Sequence, residues 1–188
     1  MGLGYDNIVG DQTNFAAPAF NGGLQAGANW QIQSLVLGIE GDIELNNQHQ
    51  SECYDYCLPD QNTAFWMSLP WFATERARLG YAAGPLLFYG TAGAAQGRIN
   101  TGYNSQDSGY VFASGNFGDV RSGWTAGGGI EAALSDRWSA KAEYLYLDLG
   151  SANYAMPLNY YFGGSATINS TTRDHIVRVG VNYKVAPF

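Results

Sequence analysis

Charged residues are scarce in this chain. Only 13% of the 188 residues are Asp, Glu, Lys or Arg, about half the share that is usual for a soluble domain. Lysine is the rarest of them, because Lys141 and Lys184 are the only two. A soluble protein of this size needs a charged, lysine-bearing outer surface. The shortage therefore favours an outer surface that faces lipid.

Positive charge is in deficit as well. The formal net charge is −7 at pH 7. A protein that binds nucleic acid is expected to carry a basic footprint on its surface. The composition therefore argues against DNA or RNA as a partner.

Long apolar runs and a recognisable leader are both missing. No run of 18 apolar residues is present, so no transmembrane helix is expected. The start, "MGLGYDN", has neither the positive region nor the apolar region of a signal peptide, and we expect a mature or trimmed chain. Only helices and closed barrels satisfy every backbone group in lipid, so a membrane protein of this kind would have to be a β-barrel.

Cysteine is nearly absent. Cys53 and Cys57, in "SECYDYCLPD", are the only two. In an exported chain this pair is expected to form one loop disulfide. Two free thiols and half of a metal site remain as alternatives, but a CxxxC pair alone is a weak metal signal. No metal or other cofactor is predicted.

Alternation of apolar and polar residues is what the chain has in abundance. In the closing stretch "HIVRVGVNYKVAPF", a period of two separates two sets of side chains, which indicates a β-strand. One face carries Val177, Val179, Val181, Tyr183 and Val185, and the other carries Arg178, Gly180, Asn182 and Lys184. Five further segments repeat the pattern, and a sixth, "PLLFYGTAGAAQG", is predicted as a strand that is poor in charge and ambiguous in its facing. "GLGY" at residues 2–5 resembles the tail of an eighth strand placed first.

The connections between these strands alternate in length. Tight joins occur at 31–34, 82–85 and 135–137, whereas longer stretches rich in Asn, Asp, Ser, Gly and Tyr fall at about 6–19, 46–70, 99–121 and 150–172. Short turns on one rim and long loops on the other are typical of outer-membrane barrels. We therefore predict an all-β fold: a transmembrane, eight-stranded, antiparallel up-and-down β-barrel with a short first strand, forming one domain over 1–188.

Aromatic residues cluster towards both ends of the predicted strands. Those near the short turns are Trp30, Tyr81, Trp138 and Tyr183, and those nearer the long loops are Trp66, Trp71, Trp124, Tyr144 and Tyr146. Two aromatic girdles flanking an aliphatic band are what the two lipid–water interfaces favour. The valines of the last strand are therefore predicted to face lipid, and the polar set to face the lumen.

The residues predicted to face the lumen carry five acids and five bases. They are Glu40, Asp42, Glu44, Glu131 and Glu143, with Arg76, Arg78, Lys141, Arg178 and Lys184. An eight-stranded barrel is just wide enough for side chains to fill its interior, and charges enclosed there have to be paired. We predict an ion-paired, closed lumen. An open pore for small solutes is the alternative.

No catalytic site is predicted, and the protein is not expected to be an enzyme. Salt bridging explains the carboxylates more simply than acid–base chemistry. Ser170, Asp174 and His175 could be drawn as a hydrolase triad. However, Asp174 and His175 are adjacent, so they point to opposite faces of a strand.

Glu75 is the exception to the pattern of the outer face. It shares that face with Ala77, Leu79 and Tyr81, where an acid costs free energy that falls towards the membrane rim. Either Glu75 lies close to the lipid headgroups, or a lateral protein contact shields it.

Four segments together identify a family. They are "NWQIQSLVLGIEGDIE", "WFATERARLGYAAGPLLFYGTAGAAQG", "GWTAGGGIEAALSDRWSAKAEYLYLDLG" and "HIVRVGVNYK". In this order they resemble the small outer-membrane β-barrel proteins of alphaproteobacteria, often called porin-family proteins. The resemblance implies an eight-stranded barrel with four surface loops in the outer membrane of a Gram-negative cell. It also implies a terminal aromatic, here Phe188, that the barrel-assembly machinery reads.

The chain departs from this family pattern in three places. Only "GLGY" stands for the first strand, "VAPF" with Pro187 extends the end, and Glu75 occupies a position that is usually apolar. The leading interpretation is a structural and surface-interaction barrel that contacts outer-membrane lipid, the assembly machinery, and a protein partner at its loops or outer wall. The alternatives are a small-solute porin and a haem receptor that uses His49, Tyr54 and Tyr56.

Overall fold

The fold is a single antiparallel β-sheet. A computed structural model describes residues 21–47, 49–58, 61–107, 110–157 and 165–185. Its strands are β1 Asn21–Ile32, β2 Leu35–Asn46, β3 His49–Leu58, β4 Gln61–Ala83, β5 Leu86–Asp107, β6 Tyr110–Ala133, β7 Trp138–Pro157 and β8 Ser165–Tyr183. Within these ranges no helix is long and apolar enough to cross a membrane.

β2 and β3 together occupy one strand position. β2 pairs with the second half of β4, and β3 pairs with its first half. The pairing of β4 is interrupted between Ser68 and Trp71, where Pro70 lacks the N–H that a ladder needs. The sheet is therefore an up-and-down meander of seven strand positions in the order β1, β2 with β3, β4, β5, β6, β7 and β8.

Three tight connections lie at one end of the sheet. They join β1 to β2, β4 to β5, and β6 to β7. Gly84 adopts a left-handed φ of 61° in the second of them, a conformation that glycine reaches without strain. The turns are tied to the ends of neighbouring strands. The amide of Ala82, at the end of β4, donates to the carbonyl of Ser34 at 2.7 Å, and the amide of Lys184, just after β8, donates to that of Arg137 at 2.8 Å. The predicted tight rim is present.

The loops at the other end are shorter than predicted, because strands occupy much of the predicted loop segments. β5 continues to Asp107 and β6 begins at Tyr110, with in-register pairing of their outer parts apart from one shift near Ser105. β7 likewise continues to Pro157 and β8 begins at Ser165. Asn, Ser and Gly gave these segments the composition of loops. Their backbones nevertheless pair across the hairpins, which satisfies their hydrogen-bonding groups.

The two faces of the sheet are inverted relative to a soluble protein. Val177 and Val179 are 80% and 83% exposed, whereas Arg76 and Glu143 are each 3% exposed. Soluble proteins bury valine and expose arginine. The apolar face is therefore suited to lipid, and the charged face is the inner one.

The sheet curls so that its two edges approach each other. Arg178 of β8 reaches Asp42 of β2 at 3.2 Å, and the ammonium of Lys141 on β7 donates to Gln25 of β1. The charged face is thus concave. No backbone pairing joins β1 to β8 within the described ranges, and the eighth strand predicted at 2–5 lies outside them.

Candidate functional site: the interior of the curled sheet

Strand register brings opposite charges together on the concave face. Glu40 of β2 stands opposite Arg76 of β4. Glu143 of β7 stands opposite Arg178 of β8. Because residues i and i+2 of a strand share a face, their charged neighbours line up beside them. Directly opposed charges of unlike sign stabilise strand pairing, so the same residues that fill the interior also favour the register.

Arg76 is the centre of the charge network. Its Nη2 lies 2.7 Å from Asp42 Oδ2 and 2.9 Å from Glu40 Oε1, and its Nη1 lies 3.4 Å from Glu143 Oε1. The side chains of Arg76 and Glu143 are fully shielded from solvent. An unpaired charge at such a place would be very costly, so the network depends on all its members being present.

Arg178 links strands near the two edges of the sheet to the network around Arg76. Its Nη2 lies 2.6 Å from Glu143 Oε2 and 3.2 Å from Asp42 Oδ2, and its Nη1 contacts Glu44. One guanidinium therefore bridges β8, β7 and β2. Arginine suits this role because its planar fork carries five donors.

A second charged pair lies nearer the tight turns. Arg78 Nη2 lies 2.6 Å from Glu131 Oε2, and its guanidinium stacks 3.5 Å from the centre of the Tyr89 ring. The Tyr89 hydroxyl donates to Glu143 Oε1 at 3.1 Å. Tyr89 therefore joins this pair to the network around Arg76. Sequence reasoning missed Tyr89 because the facing of its segment was ambiguous.

The ion-pair cluster consists of nine of the ten predicted lumen residues: Glu40, Asp42, Glu44, Arg76, Arg78, Glu131, Lys141, Glu143 and Arg178. Lys141 enters it through Glu143 at 3.2 Å. Lys184 does not, because β8 ends at Tyr183 and the exposed Lys184 makes no ion pair with the described residues. The cluster therefore sets five acids against four bases.

An apolar layer covers the ion-pair cluster on the side away from the tight turns, and sequence reasoning missed it. Leu145, Leu147 and Leu149 follow Glu143 on the concave side of β7, and each is 1% exposed. The full layer is Met67, Leu69, Phe72, Ala95, Ile99, Leu145, Leu147, Leu149 and Ile176. The available signal was "YLYLDLG", in which both faces are apolar.

Beyond the apolar layer lies a smaller polar group, the mouth cluster, formed by Asp119, Arg121, Tyr154, Ser170 and Thr172. Arg121 is buried and donates to the Tyr154 hydroxyl at 2.7 Å, the Ser170 carbonyl at 2.9 Å and the Thr172 hydroxyl at 3.3 Å. The Tyr154 hydroxyl donates to Asp119 at 2.6 Å. Arg121 was missed because its segment was interpreted as a loop.

The outer wall carries aromatic pairs towards both ends of the strands. Trp138 and Tyr183 have ring centres 4.9 Å apart near the tight turns, and Trp124 and Tyr146 have centres 5.3 Å apart farther along. Glu75 is exposed on the same wall, opposite Gly41 and Ala94. The wall therefore presents apolar side chains, aromatic groups towards its ends, and Glu75 among small residues.

Several predicted sites lie outside the described residues. The side chains of Cys53 and Cys57 lie outside the described residues, so the disulfide stays a prediction. The same holds for Phe188 and for the side chains of His49, Tyr54 and Tyr56. Over the described ranges, no three His, Cys, Asp or Glu side chains are arranged to hold a metal ion.

His175 and Asp174 lie on opposite faces of β8. The imidazole is exposed on the outer wall, where its Nδ1 lies 2.6 Å from the Tyr144 hydroxyl. The carboxylate of Asp174 is buried on the concave side and accepts from the amide of His175 at 2.8 Å. Together with Ser170 they therefore form no hydrolase triad.

An apolar outer wall with aromatic pairs around a concave, charged interior defines a membrane β-barrel protein. The family described as "Outer membrane protein beta-barrel domain" matches residues 1–184, and the chain belongs to that family. It is therefore a protein of the Gram-negative outer membrane, and the resemblance to small alphaproteobacterial outer-membrane barrels is confirmed.

Three relatives show the range of similarity. A 31 kDa outer-membrane immunogenic protein of Brucella melitensis is 36% identical over 179 residues, which cover 94% of this chain and 70% of the relative. A 25 kDa outer-membrane immunogenic protein of Brucella abortus is 29% identical, covering 86% and 64%. A 22 kDa outer membrane protein of Rhizobium leguminosarum is 27% identical, covering 88% and 66%. The chain thus spans about two thirds of the length of these relatives.

Proposed function

We propose that this protein is a closed, non-enzymatic barrel that serves the outer membrane as a structural and surface-contact protein. The observation that carries the proposal is the ion-pair cluster, which reaches from β2 through β4 and β7 to β8. Charges that fill the interior in this way hold the wall together from within. They leave the outer wall and the far rim as the surfaces available for contacts.

Completion of the barrel requires an eighth strand. The edges of β1 and β8 would otherwise present unpaired backbone groups to lipid, where no water can satisfy them. We propose that the segment around 2–5 supplies this strand and makes 1–188 one barrel domain. The hydrogen bond from the Lys141 side chain of β7 to Gln25 of β1 supports this, because it links the first strand to the strand beside β8.

Two stacked obstructions support a closed lumen. The ion-pair cluster occupies the part near the tight turns, and the apolar layer covers it on the far side. Water and ions avoid an apolar layer such as the one that contains Leu147 and Phe72. Below it, the cations and carboxylates of the cluster already bind one another. A small-solute porin would need a lumen without these two obstructions.

The rim away from the tight turns is proposed to face the outside of the cell. The paired hairpins of β5 with β6 and of β7 with β8 extend far beyond the ion-pair cluster towards that rim. The two Brucella relatives are named immunogenic, which fits exposure of the corresponding rim in those proteins. We propose that the loop disulfide between Cys53 and Cys57 belongs to this rim, and that Phe188 is the signal for the assembly machinery.

A second candidate role is a lateral contact at Glu75. Its neighbours on the outer wall are small, since Gly41 and Ala94 stand opposite it and Ala73 and Ala77 flank it along β4. An acid exposed on a lipid-facing wall is costly unless it is paired. We propose that the partner is another outer-membrane protein with a basic side chain at the same depth. A second copy of this chain is not the proposed partner, because it would bring Glu75 against Glu75.

The lateral contact is tested on complexes extracted from membranes in mild detergent. Glu75→Leu is expected to shift the complex to a smaller size, whereas Val179→Ala, on β8, leaves the size unchanged. A wild-type protein that elutes as a monomer, or a complex that Glu75→Leu leaves intact, would reject this role.

The closed lumen is tested by conductance in a planar bilayer. Folded protein, verified by the gel shift that heating abolishes, is expected to give no steps of steady size. A Phe72→Ala/Arg178→Ala double variant removes one member of each obstruction and is expected to conduct. Reproducible steps from the wild-type protein would mean that the lumen is open, and solute transport would become the leading function.

A further inference from the structure

Arg121 differs from the other buried arginines of the concave face. Arg76, Arg78 and Arg178 each lie within 2.9 Å of at least one carboxylate oxygen. For Arg121, by contrast, no carboxylate of the described chain comes within salt-bridge distance. Its hydrogen-bond acceptors are the carbonyl of Ser170 and the hydroxyls of Thr172 and Tyr154, all of them neutral. Its positive charge is therefore the least compensated of the four.

Two polar groups in the mouth cluster still lack a partner. The Nε of Arg121 and the hydroxyl of Ser170 are buried without a hydrogen-bond partner in the structure. The two residues are in contact, because Arg121 Nη1 donates to the Ser170 carbonyl at 2.9 Å. Buried donors without partners are rare, and each calls for a specific cause. A guanidinium N–H and a serine hydroxyl are the donors that oxyanion sites use.

The mouth cluster includes the exposed Asp119. The hydroxyl of Tyr154 links Asp119 to Arg121, because it donates to the carboxylate and accepts from the guanidinium. The Tyr154 ring stacks on Phe117 with centres 4.8 Å apart and so forms one wall of the mouth. On the other side Thr172 adjoins Met67 of the apolar layer, which blocks passage further in.

We propose that Arg121 and Ser170 form a binding site for a small oxyanion, a carboxylate or a phosphate, that enters from the rim. The oxyanion takes the unused N–H of Arg121 and the hydroxyl of Ser170, and it supplies the negative charge that no described carboxylate brings within salt-bridge distance of the guanidinium. Asp119 repels anions at close range, which keeps the site weak. The site ends at the apolar layer, so the bound anion is held and not transported.

Inorganic phosphate is the probe for this site. Folded protein in a zwitterionic detergent is expected to broaden the phosphorus NMR line of phosphate at constant ionic strength. Arg121→Gln is expected to abolish the broadening. Arg98→Gln is the matched control, because Arg98 is an exposed arginine of β5 that donates to Asn100 at 3.2 Å, and it should broaden the line as the wild type does.

A second variant separates binding from folding. Asp119→Asn removes the repelling charge and is expected to tighten phosphate binding several-fold, so the test does not depend on a protein weakened by the loss of Arg121. The gel shift verifies that each variant is folded. Equal broadening by wild type and Arg121→Gln, no broadening by the wild type, or no gain with Asp119→Asn would each overturn the proposal.

Discussion

Arg178 and Asp42 form an ion pair across the concave face, with 3.2 Å between Nη2 and Oδ2, although 136 residues separate them in the chain. Arg178 lies on the last strand of the sheet and Asp42 on the second. A flat sheet would hold these strands far apart. The pair therefore shows that the interior is built from contacts between the first and last parts of the chain.

Removal of Glu143 is expected to be strongly destabilising. Glu143→Gln withdraws a charge that faces Arg76, Lys141 and Arg178. Loss of one partner from a buried ionic network costs about 3–5 kcal/mol of unfolding free energy. The measurement is urea unfolding of the wild type and Glu143→Gln in lipid vesicles, which gives the difference in their unfolding free energies.

The control for that experiment is Asp148→Asn. Asp148 pairs with Arg173 at 3.1 Å, but the Arg173 side chain is 44% exposed. Exposed pairs contribute about 0–1 kcal/mol. Equal losses for Glu143→Gln and Asp148→Asn would contradict a shielded interior.

Truncation within the apolar layer is expected to be costly as well. Phe72 is fully buried, and Phe72→Ala removes a large side chain from a packed interior at a cost of about 3–5 kcal/mol. Leu79→Ala is the matched control, because Leu79 lies on the same strand but faces outwards and is 56% exposed. A loss for Leu79→Ala as large as that for Phe72→Ala would mean that the inner and outer faces have been exchanged.

Charge on the outer wall is expected to destabilise in a way that depends on depth. Val179 lies four positions before Tyr183 of the aromatic pair, and Val185 lies just beyond it. Val179→Lys is expected to cost about 2–4 kcal/mol, the range for a position near the midplane, and Val185→Lys about 0–1 kcal/mol, the range for the interface. The measurement is again unfolding from vesicles. Equal costs at the two positions would argue against a lipid-facing β8.

The predicted disulfide between Cys53 and Cys57 requires a bend in the chain. Four steps along an extended strand span about 13 Å, far beyond the separation of about 7 Å that a disulfide allows. The pairing of β3 with β4 is irregular between Tyr54 and Leu58, which is where the chain would have to bend. Unreduced, unfolded protein is expected to resist alkylation at both cysteines, and prior reduction should make both react. Alkylation without reduction would show free thiols.

Alternation was sufficient to place most of the strands. β1, β2 and β8 have one apolar and one polar face, so the period of two identified them directly. β6 and β7 were recognised near the tight turns but not along their full length. Their outer parts are rich in small and polar residues, and pairing between the strands of a hairpin rather than burial keeps them extended.

The charges of the interior could be predicted, but their partners could not. The alternation of apolar and polar residues along their strands predicts that Glu40, Asp42 and Arg178 face inwards. That Arg178 meets Asp42 and Glu44, and not Glu131, depends on the curl and stagger of the sheet. Arg121 was missed because the alternation of the neighbouring strand was not continued into its segment, which was interpreted as a loop.

The sequence by itself determined that the chain forms an antiparallel sheet with one apolar and one charged face, because side-chain alternation is a local property of an extended backbone. It also determined which face meets lipid, since charged residues are too few to cover the outer surface. Only the tertiary structure decided that the interior is stacked as an ion-pair cluster, an apolar layer and a mouth cluster around Arg121. That order depends on which distant strands the curl of the sheet brings together, and no local pattern carries this information.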